Sequence, residues 1–183
     1  MSPGGHLVTT VAACAASAAL TGNAAVTAAV ATGGFLIDVD HAVDYVLFER
    51  QRDLRPGVFL RYYLEGRTRR LVLALHSYEL FALLGVAAWW SGALWLWGYL
   101  AGGLMHLALD LIFNGKLTPR SIVLFYSFVY RLAHRFDATA LLGGFERAAA
   151  PRGFWAAFFQ GVTPTPPVAA APALARSSSK RPC

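Results

Sequence analysis

Two apolar runs, 71–90 and 93–113, are separated only by the turn pair Ser91-Gly92, and each has the roughly 20 residues a helix needs to cross a hydrocarbon core of ~30 Å. Lipid offers no partner to an unpaired backbone group, so runs of this kind are restricted to helices. Trp89, Trp90, Trp95, Trp97 and Tyr99 gather around the turn, as an interfacial aromatic belt would. At the other end of the pair lies a basic connection carrying Arg50, Arg52, Arg55, Arg61, Arg67, Arg69 and Arg70, opposed only by Glu49, Asp53 and Glu65. Positive charge beside spanning segments marks the cytoplasmic side, so the arginines are expected inside and the tryptophans outside.

Composition supports that reading. Charged residues make up 14% of the chain, against about 25% in an ordinary soluble domain, and mean hydropathy is +0.47. Topology accounts for the arginine cluster, and no nucleic-acid partner is expected. Cys14 and Cys183 cannot build a disulfide framework and have no metal-ligand spacing.

Residues 7–37 are Ala-, Gly-, Ser- and Thr-rich, a composition suited to close helix packing. The tripeptide Thr21-Gly22-Asn23 interrupts them, which predicts a helical hairpin with arms 7–20 and 24–37. Each arm is about 21 Å long at 1.5 Å per residue, too short to span alone. Pro56-Gly57 predicts a turn within the basic connection, and Asn114-Gly115 ends the second run, with Pro119 in the link beyond. The short apolar run 122–132 predicts a packed or interfacial helix, and 153–162 a surface-lying amphipathic turn. From Thr163 the composition shifts to Pro, Ala and Ser. The expected organisation is a membrane-embedded domain over 1–162 and a disordered tail over 163–183. The fold class is all-α: a polytopic helical bundle with an N-terminal hairpin, in the cytoplasmic (inner) membrane.

Ionisable groups recur inside this apolar sequence: Asp38-Val39-Asp40-His41, His76 with Glu79, and His106 with Asp110. Such groups are costly in lipid unless paired or bound to a metal. His76/Glu79 and His106/Asp110 have i,i+3 and i,i+4 spacing, so each pair shares a helix face. The antiparallel spans bring both pairs to one depth beside the arginine connection. Asp38, Asp40 and His41 precede that connection, and the hairpin returns His6 to the same level. The expected ligands are His6, Asp38, Asp40, His41, His76, His106 and Asp110. Imidazole with carboxylate suits zinc, and manganese or iron less specifically. The carboxylates are numerous enough for one or two divalent ions, and a two-ion site suits phosphoester cleavage. Glu79 is the candidate general base if it is not a ligand, and Asp38 a further catalytic candidate. Asn114 and Asp44 continue the two ligand faces as candidates for an outer layer.

Gly5-His6, Ile37-Asp38-Val39-Asp40-His41, Leu75-His76-Ser77 and His106-Leu107-Ala108-Leu109-Asp110 with Gly115 resemble the YdjM-like family of inner-membrane proteins. That family is described as membrane-bound metal-dependent hydrolases, distantly similar to zinc-dependent phospholipase C. The resemblance implies a hydrolase whose site is built from these residues. Its members commonly carry Pro on both sides of the Asp-x-Asp-His unit, where this chain has Ile37 and Ala42. Membrane lipids and an anionic phosphoester, drawn in by the arginines, are the expected partners. The alternative is a non-enzymatic metal-ion or proton transporter, since intramembrane His and Asp also build ion pathways.

Overall fold

Helix is the only regular secondary structure among residues 1–114, 121–143 and 149–162, the parts of the chain described by the structure, a computed structural model. Gly115, the Pro119 link and the 163–183 tail lie outside the described residues. Helix α1 (Pro3–Thr21) starts on Ser2, whose side chain accepts from the Gly5 N–H, with Pro3 fixing the first helical φ. It stops at Gly22, left-handed at φ 60°, and Asn23 Oδ1 accepts from Ala25 and Val26 N–H to begin α2 (Ala24–Gly34). The two helices pack along each other. Because Ser2-Pro3 initiates earlier than the expected arm, α1 reaches 19 residues and is long and apolar enough to cross a membrane.

At Phe35 the chain enters a 3₁₀ turn (Leu36–Asp38), then α3 (Val39–Val43) and a wide turn over Asp44–Phe48. This continuation bends 48° from α2, and the two together qualify as one further broken span. Pro56 was expected in a turn; it instead occupies the first position of α4 (Pro56–Leu64), where its missing N–H costs nothing. Glu49 ties down the far end of the basic connection, accepting from Tyr62 OH (2.5 Å) and the N–H groups of Arg69 (2.8 Å) and Arg70 (2.6 Å).

The run 71–90 does not form the expected span. Helix α5 covers only Tyr78–Ser91, and residues 71–77 are non-helical. The cause is competition for backbone groups. Asp44 Oδ2 accepts from Val72 and Leu73 N–H, Asp40 Oδ2 accepts from Leu75 N–H, and Leu73 has φ 43°. Ser77 then caps α5 by accepting from Leu80 N–H. Gly92, at φ 65°, turns the chain into α6 (Leu94–Phe113), a 20-residue helix that does qualify as a span. Trp89 and Trp90 beside the turn are 82% and 88% exposed, a cost in water that an interfacial belt avoids.

α2 and α6 form the tightest interface in the fold. A Cβ on Gly102 would land on the Val30 carbonyl and 2.8 Å from Gly34 N, and one on Gly33 would meet the Tyr99 carbonyl and Gly103 N. Only glycine permits backbones this close. The expected single helix over 122–132 is divided into α7 (Ile122–Phe125) and α8 (Phe128–Ala133), and α9 (Ala138–Leu142) follows. α10 (Phe154–Gln160), expected as a surface turn, packs on α1 and α4, and Ser2 Oγ donates to the Phe159 carbonyl (2.8 Å).

Candidate metal centre

Four parts of the chain converge below the glycine-packed interface. α1 brings His6, the bent segment after α2 brings Asp38, Asp40 and His41, the 71–77 connection brings His76, and α6 brings His106 and Asp110. Three groups have ligand atoms within 4.8 Å of one another: His6/His106/Asp110, Asp38/His76/His106 and Asp40/His41/His76. All seven sequence-predicted ligands fall in them. The histidines at the centre, His76 and His106, are 1% and 0% exposed, and Asp38 and His41 are half-buried at the rim.

The central group has the dimensions of a coordination face. His76 Nε2 and His106 Nε2 are 3.1 Å apart, and Asp38 Oδ1 lies 3.3 and 3.5 Å from them. Bonds of about 2.0–2.1 Å in a tetrahedral shell put neighbouring ligand atoms about 3.3–3.4 Å apart. Proton placement sharpens the match. His106 Nδ1 faces the Gly34 carbonyl at 2.9 Å, and a carbonyl only accepts, so Nδ1 carries the proton. His76 Nδ1 faces both Asp40 oxygens at 3.1 and 3.0 Å and is protonated for the same reason. In the neutral form of each ring, Nε2 turns a lone pair towards the other ring and towards Asp38. Three acceptor atoms at these distances call for positive charge among them, a proton or a metal ion. The donor set fits a divalent metal ion.

Beside this face, His6 Nε2 is 2.9 Å from Asp110 Oδ1, and His106 Nε2 is 3.5 Å from Asp110 Oδ2. The His6 and His106 rings stack at 3.7 Å. Asp110 Oδ1 also accepts from Asn114 Nδ2 (2.7 Å) and the Met1 amino group (3.0 Å). Among the described residues, the buried Nδ1 atoms of His6 and His41 have no hydrogen-bond partner. His41 Nε2 sits 3.6 Å from Asp38 Oδ1, close to the coordination face but not on it.

An outer layer fixes these rings. Asp40 orients His76 and holds the Leu75 N–H, which makes it a supporting carboxylate. Asp44, one turn on, grips Val72 and Leu73. Arg131 of α8, fully buried, donates from Nη1 to the His76 (3.0 Å) and Phe125 (2.8 Å) carbonyls and from Nη2 to the Leu73 carbonyl (2.9 Å). Burial lowers its pKa, outweighing the acidic groups nearby. Burial also opposes a charge on His76, yet Asp38 and Asp40 prevail and lift its pKa to about 10.

Glu79 is placed differently from expectation. Its carboxylate accepts from Ser127 Oγ (2.6 Å), Phe128 N–H (2.8 Å) and Val129 N–H (3.2 Å), at the start of α8. It is a helix cap and belongs to none of the three groups. His76 and Glu79 share no helix face because His76 precedes the helix. Sequence reasoning missed Arg131, whose one signal was a cation inside the apolar run 122–132. No family model matches the chain, and comparison with curated proteins and with solved structures found no match either.

Proposed function

We propose that the protein is a membrane-bound, metal-dependent hydrolase of the YdjM-like kind, acting on a phosphoester at the cytoplasmic face of the inner membrane. The observation that carries the metal is the triangle of His76 Nε2, His106 Nε2 and Asp38 Oδ1, with edges of 3.1, 3.3 and 3.5 Å and lone pairs facing inward. Zinc is the favoured ion on the His/Asp donor set, with room for a second ion against His6 and Asp110. A bound divalent ion supplies Lewis acidity, polarising a phosphoryl oxygen and making water nucleophilic near neutral pH.

The chain's own residues do the rest. His76 and His106 would hold the ion, their tautomers fixed by Asp40 and the Gly34 carbonyl. Asp38 would complete the coordinating face through Oδ1 and, as the most open carboxylate of the cluster, would orient the attacking water and take its proton through its other oxygen. The arginines of the basic connection attract the anionic substrate. Glu79 has no part in this scheme.

The test is metal analysis of protein purified in detergent, followed by phosphoester cleavage with and without added zinc or manganese. Bound metal with metal-dependent turnover is the expected result. Protein without metal, or turnover unchanged in His106→Ala, would overturn the reading. Metal uptake into proteoliposomes without hydrolysis would move the protein to the transporters.

A further inference from the structure

Part of the metal cluster lines a chamber of about 540 Å³ whose remaining walls are mostly apolar. His6, Asp38, His41, His76, Asp110 and Asn114 contribute its polar lining. Phe35, Leu36, Phe59, Leu60, Leu64 and Phe158, from the bend after α2, from α4 and from α10, contribute much of the apolar lining. The volume is that of a small-molecule site, which runs from roughly 300 to 1,000 Å³. A polar phosphoester alone would need none of this apolar wall, and an apolar ligand alone would leave the cluster desolvated and unmatched. The cavity suits a molecule with both parts.

On the reading of the cluster as a phosphoester site, we infer that the chamber holds the hydrocarbon chain of an amphiphilic phosphoester. The headgroup lies on the His/Asp lining and the chain runs along α4 and α10. The substrate class is then a lipid or lipid-linked phosphate, and soluble phosphoesters are poor substrates. Three helices or helix pairs long and apolar enough to span place the chamber where such molecules are found. α10 closes one wall through Phe158 and is fastened to α1 by the Ser2–Phe159 hydrogen bond.

The experiment uses the full chain in detergent and a decyl phosphate carrying a diazirine at its chain end, with labelled residues mapped by mass spectrometry. Labelling should concentrate on Phe59, Leu60, Leu64 and Phe158 rather than on the outward-facing Leu83, Trp89 and Trp90. Unlabelled alkyl phosphates should compete more strongly as the chain lengthens, by up to about fourfold per methylene until the chamber is full. Inorganic phosphate should not displace the probe. Leu60→Trp, which adds bulk on the apolar wall, should reduce chamber labelling at least tenfold while bound metal is retained. Should that variant fail to fold, the chain-length series on wild type decides alone. Labelling confined to the outer faces, or competition independent of chain length, overturns the inference. Bound metal, measured on the same samples, separates the two readings: metal present without chamber labelling sinks the chain site, and chamber labelling without metal sinks the hydrolase.

Discussion

His106 is fixed from both sides of its ring, by the Gly34 carbonyl at Nδ1 and by the cluster at Nε2, and it belongs to two of the three candidate groups. His106→Ala should therefore abolish metal binding, read as metal content after purification. Asp40→Asn should act more gently. It keeps the side chain's shape and one acceptor oxygen but loses the charge that orients His76, a change that typically costs 10–100-fold in affinity. Titration with a competing chelator would measure it, and complete loss would make Asp40 a direct ligand. Arg131 has a different role. Three carbonyls accept from it; its replacement by Met leaves those of His76 and Phe125 without this donor, at about 1–3 kcal/mol each, while that of Leu73 keeps the His76 N–H. Thermal unfolding in detergent should fall sharply for Arg131→Met, with metal affinity lowered as the His76 backbone loosens. An unchanged melting temperature would show that the guanidinium is dispensable.

At the scale of elements, the α2–α6 contact sets the geometry of the site, because Gly34 and His106 belong to its two sides. Gly102→Leu should force the helices apart, and Gly102→Ala should cost about 1–3 kcal/mol, the usual range for overpacking. Loss of metal with Gly102→Leu, although Gly102 touches no ligand, would tie the interface to the cluster. The same scale shows what the sequence could and could not say. The turn at Gly22-Asn23, the turn at Gly92 and the α6 run were legible because glycine, asparagine and hydropathy act locally. The short reach of α5 was not. Residues 71–77 are as apolar as a span, and only side chains distant in sequence, Asp40, Asp44 and Arg131, take their backbone groups out of the helix. Glu79 misled for the same reason: i,i+3 spacing from His76 means a shared face only where both residues are helical. The seven ligand candidates could be named because charge in apolar sequence is conspicuous. Their arrangement into three groups of candidate ligand atoms needed the distances.

For the whole molecule, the arrangement of charge and aromatic residues implies an orientation. Ser91-Gly92 lies at the tryptophan end of α6, and Asp110 with the cluster lies near its other end. The basic connection is covalently joined to the bent segment bearing Asp38 and to the 71–77 connection bearing His76, so arginines and cluster share one side. α6 is long and apolar enough to separate that side from the tryptophan turn. Reporter fusions at Arg52 and at Gly92 should therefore give opposite compartments, with Arg52 cytoplasmic under the positive-inside rule. Replacing Arg67, Arg69 and Arg70 by Gln should weaken that preference, since orientation follows the basic residues near span ends. It should leave the cluster intact, because none of the three arginines touches a ligand atom. Metal content unchanged in the triple variant, together with a mixed reporter signal at residue 92, is the expected pair of results. Both fusions reporting one compartment in the wild type would mean that α6 does not cross, and the amphiphile would then have to reach the chamber from a helix bundle lying on the membrane surface.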